Sequence, residues 1–345
     1  MKIAIVTDAW LPQISGVVTT YQQTVRCLTQ LGHQVSTINP LQFPTVPCPT
    51  YPEISLSLLR PGKIEKALEK IGPDAVHIAT EGPLGWSARS VCLQRRFPFS
   101  SAYHTRFPEY LRLRFPVPLR LSYCLMRKFH NASNRILVAS ESLKCELEQK
   151  GFTNLHIWSR GVDVDLFRPQ SNNVKSDNPI FTYVGRIAPE KNLEAFFELA
   201  LPGEKWVIGD GPQLLALKSR YPSVRFFGFL HGKSLATRLA ASSVFVFPSR
   251  TDTFGIVQLE AMSCGVPVAA FPVEGPLALV ENDVNGYLDE DLKKAALRCL
   301  TIDRAGCRQT ARRFSWAYST QQFLNNLVVT GEPFPAPQKY LAHAA

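Results

Sequence analysis

The chain has 345 residues, enough for two domains of ordinary size, and it is 45% hydrophobic and 19% charged, a composition typical of folded globular proteins and not of disordered ones. No apolar run approaches the ~20 residues of a spanning helix, so we expect neither a membrane-spanning segment nor a signal peptide. The formal net charge of +10 at pH 7 favours anionic partners.

Strand-like and helix-like patterns alternate through the first half of the chain. Residues 39–62 are rich in proline and are predicted as a loop, while the alternation around them indicates a doubly wound α/β domain. The predicted strands are 3–7, 35–38, 75–79, 99–103 and 136–139, and the predicted helices are a first one that ends before Gly32 and others at 63–71, 84–95 and 141–150.

Most of the excess positive charge lies in residues 86–135, which contain ten Lys or Arg and one acid, Glu109. Basic and apolar side chains alternate there, a pattern that favours an anionic lipid surface. The alternative is a surface helix with solvated arginines, and Pro116 and Pro118 interrupt any long helix. Nucleic acid is not expected as a partner, because no recognition motif is present. Acceptor or membrane contact is assigned to Arg106, Tyr110, Arg112, Arg114, Arg120, Arg127 and Lys128.

A polar stretch without periodicity, residues 161–178, is predicted to link two domains. A second α/β alternation follows, and neither half has a GxGxxG motif, which argues against a nicotinamide or flavin dehydrogenase. The tail from Gly331 is predicted to be loose. The predicted strands are 180–184, 205–209, 224–227, 244–247 and 267–271, and the last helical stretch is 314–328.

The eight cysteines are scattered and form no CxxC pair, so neither a zinc site nor a disulfide framework is expected. Most lie in apolar runs and are predicted to be small buried side chains in a reducing compartment. We therefore expect a cytoplasmic protein, or one that is peripheral on the inner face of a membrane.

The stretch 247–276, FPSRTDTFGIVQLEAMSCGVPVAAFPVEGP, is the most informative part of the chain. It predicts a buried strand, a polar loop with Asp252, a helix that carries Glu260 and stops at Gly265, and a second strand. Such βαβ units place ligands at the carboxyl ends of strands, where helix N-termini offer free N–H groups. Two carboxylates beside such amides indicate a ligand with both hydroxyls and phosphate, such as a nucleotide sugar.

This segment resembles the carboxylate signature of retaining glycosyltransferases of the GT-B fold, in particular glycosyltransferase family 4. The likeness covers nearly the whole chain, through KIAIVTDAWLPQISGVV, YHTRFPEYL, SRGVDVDLFRP, YVGRIAPEKNL and GDGP. The motifs TDTFG, RGVD and PVEGP are most similar to those of bacterial α-mannosyltransferases and of enzymes that build glycolipids. The chain departs from the family in having Asp252 where Glu is usual and Arg160 where most relatives have Asn.

The resemblance implies two Rossmann-like doubly wound domains that face a central cleft. It implies an acceptor-binding domain at 1–165, a domain at 178–313 that binds a nucleotide-diphosphate sugar, and a C-terminal helix within 314–345 that crosses back to the first domain. It also implies retention by front-face attack, in which the departing phosphate takes the proton. The expected donor is GDP-mannose or a UDP-hexose, and the expected acceptor is a lipid or a glycan.

Arg186 and Lys191 form the strongest basic pair, since they follow strand 180–184 and flank Pro189 at the start of a helix. Two cations fixed there stabilise the charge that develops on a leaving diphosphate, and they do so more in the transition state than before it. The competing interpretation is an exposed cap region with solvated charges. We favour the catalytic role.

By resemblance, Glu260 accepts hydrogen bonds from the ribose hydroxyls, and Asp252 lies near the donor sugar. Each carboxylate has a structural alternative as a solvated acid, and Asp252 has a further one as a cap of the helix that follows. The remaining predicted donor contacts are the backbone N–H groups of Thr253, Phe254 and Gly255, and the turn Gly209, Asp210 and Gly211, for which a plain tight turn is an equal alternative.

Gly16 lies between the first strand and helix, where a glycine lets the backbone approach a ligand, although a plain turn is the alternative. His104 follows strand 99–103 and by resemblance contacts the donor sugar near the reaction centre. A lone histidine is more often structural, but its placement with Arg106 and Glu109 favours a functional role. Asp163 and Asp165 form DVD, which resembles a metal motif of another glycosyltransferase fold. They lie in the crossover, so we interpret them as structural and predict neither a metal nor a cofactor.

Three functions are consistent with these residues. The first is a retaining glycosyltransferase, the second is a nucleotide-sugar epimerase of the same fold with His104 and Asp210 as acid and base, and the third is a non-catalytic basic protein that adheres to membranes or nucleic acid. Nucleotide release that depends on an acceptor indicates the first, and epimerised donor indicates the second. Salt-sensitive binding without nucleotide-sugar affinity indicates the third.

Overall fold

Two parallel six-stranded sheets form the framework of the molecule. The computed structural model describes residues 1–13, 15–48, 51–59, 62–170 and 178–335, with the backbone alone at 51–54, 113 and 114. In chain order the strands are β1 (Lys2–Val6), β2 (Gln34–Ile38), β3 (Thr45–Cys48), β4 (Tyr51–Ser57), β5 (Ala75–Ile78), β6 (Phe99–Ala102), β7 (Arg135–Val138), β8 (Leu155–Ile157), β9 (Ile180–Val184), β10 (Glu204–Ile208), β11 (Arg225–Phe226), β12 (Val244–Phe247), β13 (Val268–Ala270) and β14 (Gly286–Leu288).

Helices connect the strands and cover the sheets. Several begin at a Ser or Asp whose side chain accepts from a backbone N–H of the first turn, as Ser15 does from Val18 and Ser140 does from Leu143. In chain order the helices are α1 (Gly16–Gln30), α2 (Lys63–Ile71), α3 (Pro83–Gln94), α4 (Phe107–Arg114), α5 (Leu119–His130), α6 (Glu141–Gln149), α7 (Glu194–Phe197), α8 (Leu214–Arg220), α9 (Gly232–Ala240), α10 (Ile256–Ser263), α11 (Glu274–Leu277), α12 (Leu292–Cys299), α13 (Arg304–Arg312) and α14 (Trp316–Asn325).

The order of the strands determines where each sheet can bind a ligand. The first sheet has the order β2-β1-β5-β6-β7-β8, and the second has the order β11-β10-β9-β12-β13-β14. In the second sheet the direction of winding reverses between β9 and β12, which pair in parallel at Val244 and Phe181. The same reversal occurs between β1 and β5 in the first. A crevice opens outside the carboxyl ends of the strands at each such point.

The last helix packs back on the first sheet, as the sequence predicts. Phe323 of α14 is fully buried beside Trp158 and Ile3, and α14 contacts α1. The indole Nε1 of Trp158 donates to the carbonyl of Ser319 over 3.1 Å. The division into domains at 1–165 and 178–313 stays a prediction, and residues 171–177 and 336–345 lie outside the described part of the chain.

The prediction of a loop over residues 39–62 is wrong. The segment contains a 3-10 turn, Pro40–Gln42, and the antiparallel pair β3 and β4. Proline is tolerated there because each strand of a two-stranded ribbon has one edge that needs no ladder hydrogen bond. The register shifts at Pro47 and Cys48, where the ladder is interrupted.

The tail is also more ordered than predicted. Phe334 is buried against Phe97, and its N–H donates to the carbonyl of Pro73 over 2.8 Å. The aromatic burial explains why residues 331–335 dock on the first domain. The short strands β8 and β14 were missed as well, since three residues carry too little periodicity to be recognised.

The expectation that most cysteines are buried is only partly met. Cys92, Cys264, Cys299 and Cys307 are buried, but Cys124 and Cys145 are exposed on α5 and α6. In the described ranges no helix has the length and apolarity that crossing a membrane demands. Those ranges likewise contain no group of three or more His, Cys, Asp or Glu side chains arranged to hold a metal ion.

Candidate active site

The loops that follow β9 and β12 meet at the reversal point of the second sheet. Lys191 comes from the first loop and Asp252 from the second, and Nζ of Lys191 lies 2.5 Å from Oδ1 of Asp252. Each side chain is 17% exposed. Burial acts to lower the pKa of Lys191, but Asp252 and two neighbouring tyrosines raise it well above its ordinary value. The lysine is therefore a permanent cation.

Backbone acceptors hold these two loops together. The carbonyl oxygen of Glu190 accepts from the hydroxyls of Ser249 and Thr251, over 3.4 Å and 3.3 Å. In the other direction, Nδ2 of Asn192 donates to the carbonyl of Pro248 over 3.1 Å. The position of the ammonium group is thus determined by two elements at once, as a preorganised electrostatic site requires.

Arg186 lies in the same loop as Lys191 and is partly buried. Burial lowers its pKa, an effect that Glu190 and the thiol of Cys48 oppose. Cys48 belongs to β3, so the hairpin of the first domain lies near the loop that follows β9. The structure brings Arg186 and Lys191 into one loop at the carboxyl end of β9, where the sequence predicted them.

The turn after β10 is shaped by close backbone packing. A Cβ at Gly209 would lie 1.9 Å from the carbonyl oxygen of Gly185, and one at Gly211 would lie 2.4 Å from that of Ile187. Both glycines have positive φ angles. The glycines therefore let this turn pack on the loop that carries Arg186 and Lys191. Contact between the exposed Asp210 and a nucleoside stays a prediction.

Three consecutive amides precede α10 without an internal acceptor. Within the described residues, the N–H groups of Thr253, Phe254 and Gly255 donate to no protein atom. Gly255 is the N-cap residue, has φ of 78° and makes no side-chain cap, so the alternative in which Asp252 caps the helix is not realised. Free amides at a helix N-terminus are suited to hydroxyl or phosphate oxygens.

Glu260 of α10 is the second unusual carboxylate. Its Oε2 atom is buried and has no hydrogen-bond partner among the residues described. Burial raises the pKa of Glu260 to about 7. Oδ2 of Asp252 is buried and unpartnered in the same way. Buried acceptors without donors are costly, and a ligand that brings hydroxyl donors removes that cost.

On the opposite side of the cleft, the ring of His104 belongs to a buried polar chain. Nη2 of Arg160 donates to Nδ1 of His104 over 3.0 Å, so this nitrogen carries no proton. Nε2–H of His104 then donates to Oη of Tyr21 over 2.8 Å, and Tyr21 donates to Nε2 of His77 over 2.7 Å. Nδ1 of His77 lies 2.8 Å from Oγ of Ser100.

Burial lowers the pKa of both histidines, to about 3 for His77, and the nearby Arg160 lowers both further. Both rings are therefore neutral at pH 7. Both ring nitrogens of His104 are engaged within the first domain. Its backbone carbonyl oxygen makes the contact with the second domain and accepts from Oγ1 of Thr253 over 2.8 Å. Gly16 also faces that domain, since a Cβ there would lie 3.8 Å from Cδ1 of Ile256.

Five of the seven predicted acceptor and membrane residues separate into two groups. Arg106 and Tyr110 lie at the domain interface, whereas Arg112, Arg120 and Lys128 are exposed. The charges of Lys191 and Asp252 act on the pKa of Tyr110, which burial raises. Tyr110 thus lies near the pair Lys191–Asp252. Nη1 of Arg127 donates to the carbonyl of Lys150, and the side chain of Arg114 lies outside the described residues.

Residues 14–166 match the family described as Glycosyltransferase Family 4, and residues 166–298 match that described as Glycosyl transferases group 1. A GDP-mannose-dependent alpha-mannosyltransferase of Mycobacterium tuberculosis is 30% identical over 315 residues, which cover 84% of this chain and 83% of the relative. The chain belongs to glycosyltransferase family 4.

The glycosyltransferase has further relatives over most of its length. Sulfoquinovosyl transferase SQD2 of Arabidopsis thaliana is 29% identical over 90% of this chain and 70% of the relative. Sucrose-phosphate synthase of Thermosynechococcus elongatus has the same fold, with a TM-score of 0.74 and 22% identity over 94% of this chain and 97% of that one. The predicted α/β fold, the family and the enzyme class are therefore confirmed.

Glu274 is a buried acid of this glycosyltransferase that the sequence reasoning did not single out. It begins α11 after β13, and its side chain is 9% exposed. Oε2 of Glu274 accepts from Nε of Arg106 over 3.0 Å, and Arg106 also pairs with Glu146. Burial raises the pKa of Glu274, which Arg106 opposes. The motif PVEGP was recognised, but its acid was not considered. The position of Glu274 just after a predicted strand, 267–271, is the signal that could have identified it.

The pair Arg106–Glu274 joins the two domains of the glycosyltransferase beside the loop that carries Asp252. Gly275 packs on the backbone of this loop, since a Cβ there would lie 2.7 Å from the carbonyl of Asp252. We expect Arg106→Ala to lower the free energy of unfolding by about 2–3 kcal/mol, because it leaves Glu274 buried without its cation. Calorimetry of the double variant Arg106→Ala/Glu274→Ala should show a loss smaller than the sum of the single losses.

The matched control for this prediction is Arg225→Ala. Arg225 pairs with Glu204 at 2.8 Å, but its side chain is 60% exposed, so its loss should change stability by less than about 1 kcal/mol. Additive losses at Arg106 and Glu274 would show that the two side chains do not act as a pair.

Proposed function

We propose that this enzyme transfers mannose from GDP-mannose, with retention of the anomeric configuration, to a hydroxyl of a glycolipid-type acceptor at an anionic membrane surface. The observation that carries the proposal is the meeting of Lys191 and Asp252 at the reversal point between β9 and β12, just before the amides that open α10. Among the described residues, Oδ2 of Asp252 and Oε2 of Glu260 on α10 are buried carboxylate oxygens without a partner. The name of the mannosyltransferase relative supports the choice of donor.

The proposed assignment divides the donor among these groups. Lys191 and Arg186 bind the diphosphate, the amides of Thr253 to Gly255 bind sugar hydroxyls or phosphate, and Glu260 accepts from the ribose hydroxyls. Asp252 is held by Lys191 at one oxygen and offers the other to the sugar. We assign this second oxygen the role of a hydrogen-bond acceptor for the sugar.

In the transfer step, the bond between C1 of the sugar and the phosphate oxygen breaks, and a bond from the acceptor oxygen to C1 forms on the same face. The proton of the acceptor hydroxyl passes to the departing phosphate oxygen. Arg186 and Lys191 stabilise the negative charge that grows on the diphosphate as the bond breaks. The carbonyl of His104, Thr253 and the pair Arg106–Glu274 join the domains around the site.

A nucleotide screen tests the donor. We expect GDP to raise the melting temperature more than UDP or ADP at equal concentration, because a ligand stabilises the protein by RT ln(1 + [L]/Kd). Incubation with GDP-mannose and acceptor should then release GDP and give an α-linked product. A larger shift with UDP would reassign the base, and release of epimerised donor without acceptor would support the epimerase alternative.

A surface formed by α4 and α5 supports the membrane part of the proposal. Leu121 and Leu125 of α5 are 64% and 46% exposed, next to the exposed cations Arg120 and Lys128. Apolar side chains that insert between lipids, with cations at the level of the headgroups, are typical of interfacial helices. Each cation contributes on the order of 1 kcal/mol at an anionic surface.

We expect the wild-type chain to sediment with phosphatidylglycerol vesicles but not with phosphatidylcholine vesicles. The variant Leu121→Asp/Leu125→Asp should lose this binding and keep its nucleotide-induced thermal shift, since the substitutions lie on an exposed face of α5. The matched control is Leu215→Asp, which alters a leucine on α8 of the second domain that is still more exposed, at 83%. Equal binding by both variants would locate the membrane contact elsewhere.

A further inference from the structure

A hollow of about 240 Å³ opens where the chain leaves β1 and β2. Trp10 and Gln13 line it from the loop after β1, Phe43 from the segment after β2, and Thr45 and Ser55 from the hairpin of β3 and β4. The carboxyl ends of parallel strands beside a reversal of winding are where such sheets bind ligands. In the second sheet the corresponding loop, the one after β9, carries Arg186 and Lys191 of the proposed donor site. We therefore place this hollow on the acceptor side.

The walls combine flat aromatic rings with neutral hydrogen-bonding groups. Gln13 offers an amide that both donates and accepts, and Thr45 and Ser55 offer hydroxyls. Asp8 is the charged group among the described residues of the lining, and its oxygens already accept from the N–H of Leu84 over 2.8 Å and from that of Gly85 over 3.2 Å. Among those described lining residues there is no cation to hold a phosphate.

Such walls suit a neutral ligand that is apolar on its faces and rich in hydroxyls at its rim. A pyranose ring has this chemistry, whereas a diphosphate or an anionic headgroup does not. The volume is below the ~300–1,000 Å³ of sites that enclose drug-sized molecules, so it accommodates about one ring.

Two segments connect the hollow to the donor site. The loop with Trp10 and Gln13 continues to Gly16, where an added Cβ would lie 3.8 Å from Cδ1 of Ile256 at the start of α10. The hairpin with Thr45 carries Cys48, whose thiol acts on the pKa of Arg186. A ring seated in the hollow therefore lies beside the cleft between the domains.

We infer that this hollow is a subsite for a neutral hexose ring of the acceptor, so that the enzyme extends a molecule that already carries at least one sugar. The inference rests on the proposed function and deepens it. It follows that a reaction of the same class, a glycosyl transfer to a simpler acceptor, must precede this one.

The test uses the full chain and two small probes, methyl α-D-mannopyranoside and methyl α-D-glucopyranoside, with glycerol as a polyol that is not a ring. We expect saturation-transfer NMR to detect at least one hexoside and not glycerol. Trp10→Ala removes an aromatic wall, and Ser55→Trp fills the hollow without removing one. Each should weaken hexoside binding about tenfold and leave the Kd for GDP within about twofold.

The matched control is Leu215→Ala, an exposed change in the second domain that should alter neither binding event. Binding is measured with and without GDP, so that failure of the proposed function appears as absent nucleotide binding whatever the hexoside result. The inference is overturned if neither hexoside binds, if glycerol gives an equal signal, or if Ser55→Trp binds hexoside as the wild type does while it folds and binds GDP.

Discussion

Lys191→Ala should lower kcat for sugar transfer about 10²–10³-fold, with a much smaller change in donor affinity. The ammonium group lies 2.5 Å from Asp252, and two loops fix its position. It therefore needs no reorganisation when negative charge develops on the diphosphate. Interactions that strengthen as the bond breaks act on kcat more than on KM. Steady-state kinetics with the donor varied at saturating acceptor measures both quantities.

The loss of Lys191 also leaves Asp252 without its cation, so stability has to be followed in the same samples. Lys191→Ala/Asp252→Asn removes the charge of both partners and should recover part of the melting temperature without recovering the rate. The matched control is Lys233→Ala, an exposed lysine on α9 of the same domain, which should retain wild-type kcat. A folded Lys191→Ala enzyme with kcat within about threefold of the wild type would contradict the electrostatic account.

Glu260→Gln should weaken nucleotide binding and at the same time stabilise the free protein at alkaline pH. The pKa of Glu260 is raised to about 7 by burial, above the ordinary value of 4.5. A carboxyl group with a raised folded-state pKa contributes stability below pH 4.5 that is lost as the pH rises through about 7. At pH 8 the buried charge therefore destabilises the empty site, and the neutral amide does not.

The ionisation of Glu260 also controls the affinity for the nucleotide. Because the charged carboxylate is the better acceptor for ribose hydroxyls, the Kd for nucleotide should rise about tenfold between pH 8 and pH 6 in the wild type. The Glu260→Gln variant should show weak binding that hardly depends on pH. Its melting temperature should exceed that of the wild type at pH 8 by a few degrees, and this difference should shrink toward pH 5.

These two readouts separate a binding role from a structural one. Calorimetric titration gives the Kd and a thermal scan of the free protein gives the stability. A matched control is Glu281→Gln, which removes a carboxylate from an exposed position of the same domain and should alter neither. Nucleotide affinity that is independent of pH in the wild type would show that Glu260 does not contact the ligand.

Many strands and helices were predictable because their signals are local. Strands β9 and β12 were predicted with the bounds they have, Ile180–Val184 and Val244–Phe247, since each is a short apolar run buried on both faces. The helix Lys63–Ile71 was predicted equally well from its strongly amphipathic spacing. The hairpin of β3 and β4 was not predicted. Its prolines favour a loop when the sequence is read without knowledge of the partner strand.

The sequence by itself determined the family, the two-domain α/β plan and the basic and acidic side chains at the ends of β9 and β12, because residues near a strand end stay near it in any such sheet. Only the tertiary structure decided their partners. Lys191 meets Asp252 across 61 positions, Thr253 meets His104 across 149, and Arg106 meets Glu274 across 168. Which side chains satisfy one another over such separations depends on how the sheets and helices pack, and local spacing carries no information about that packing.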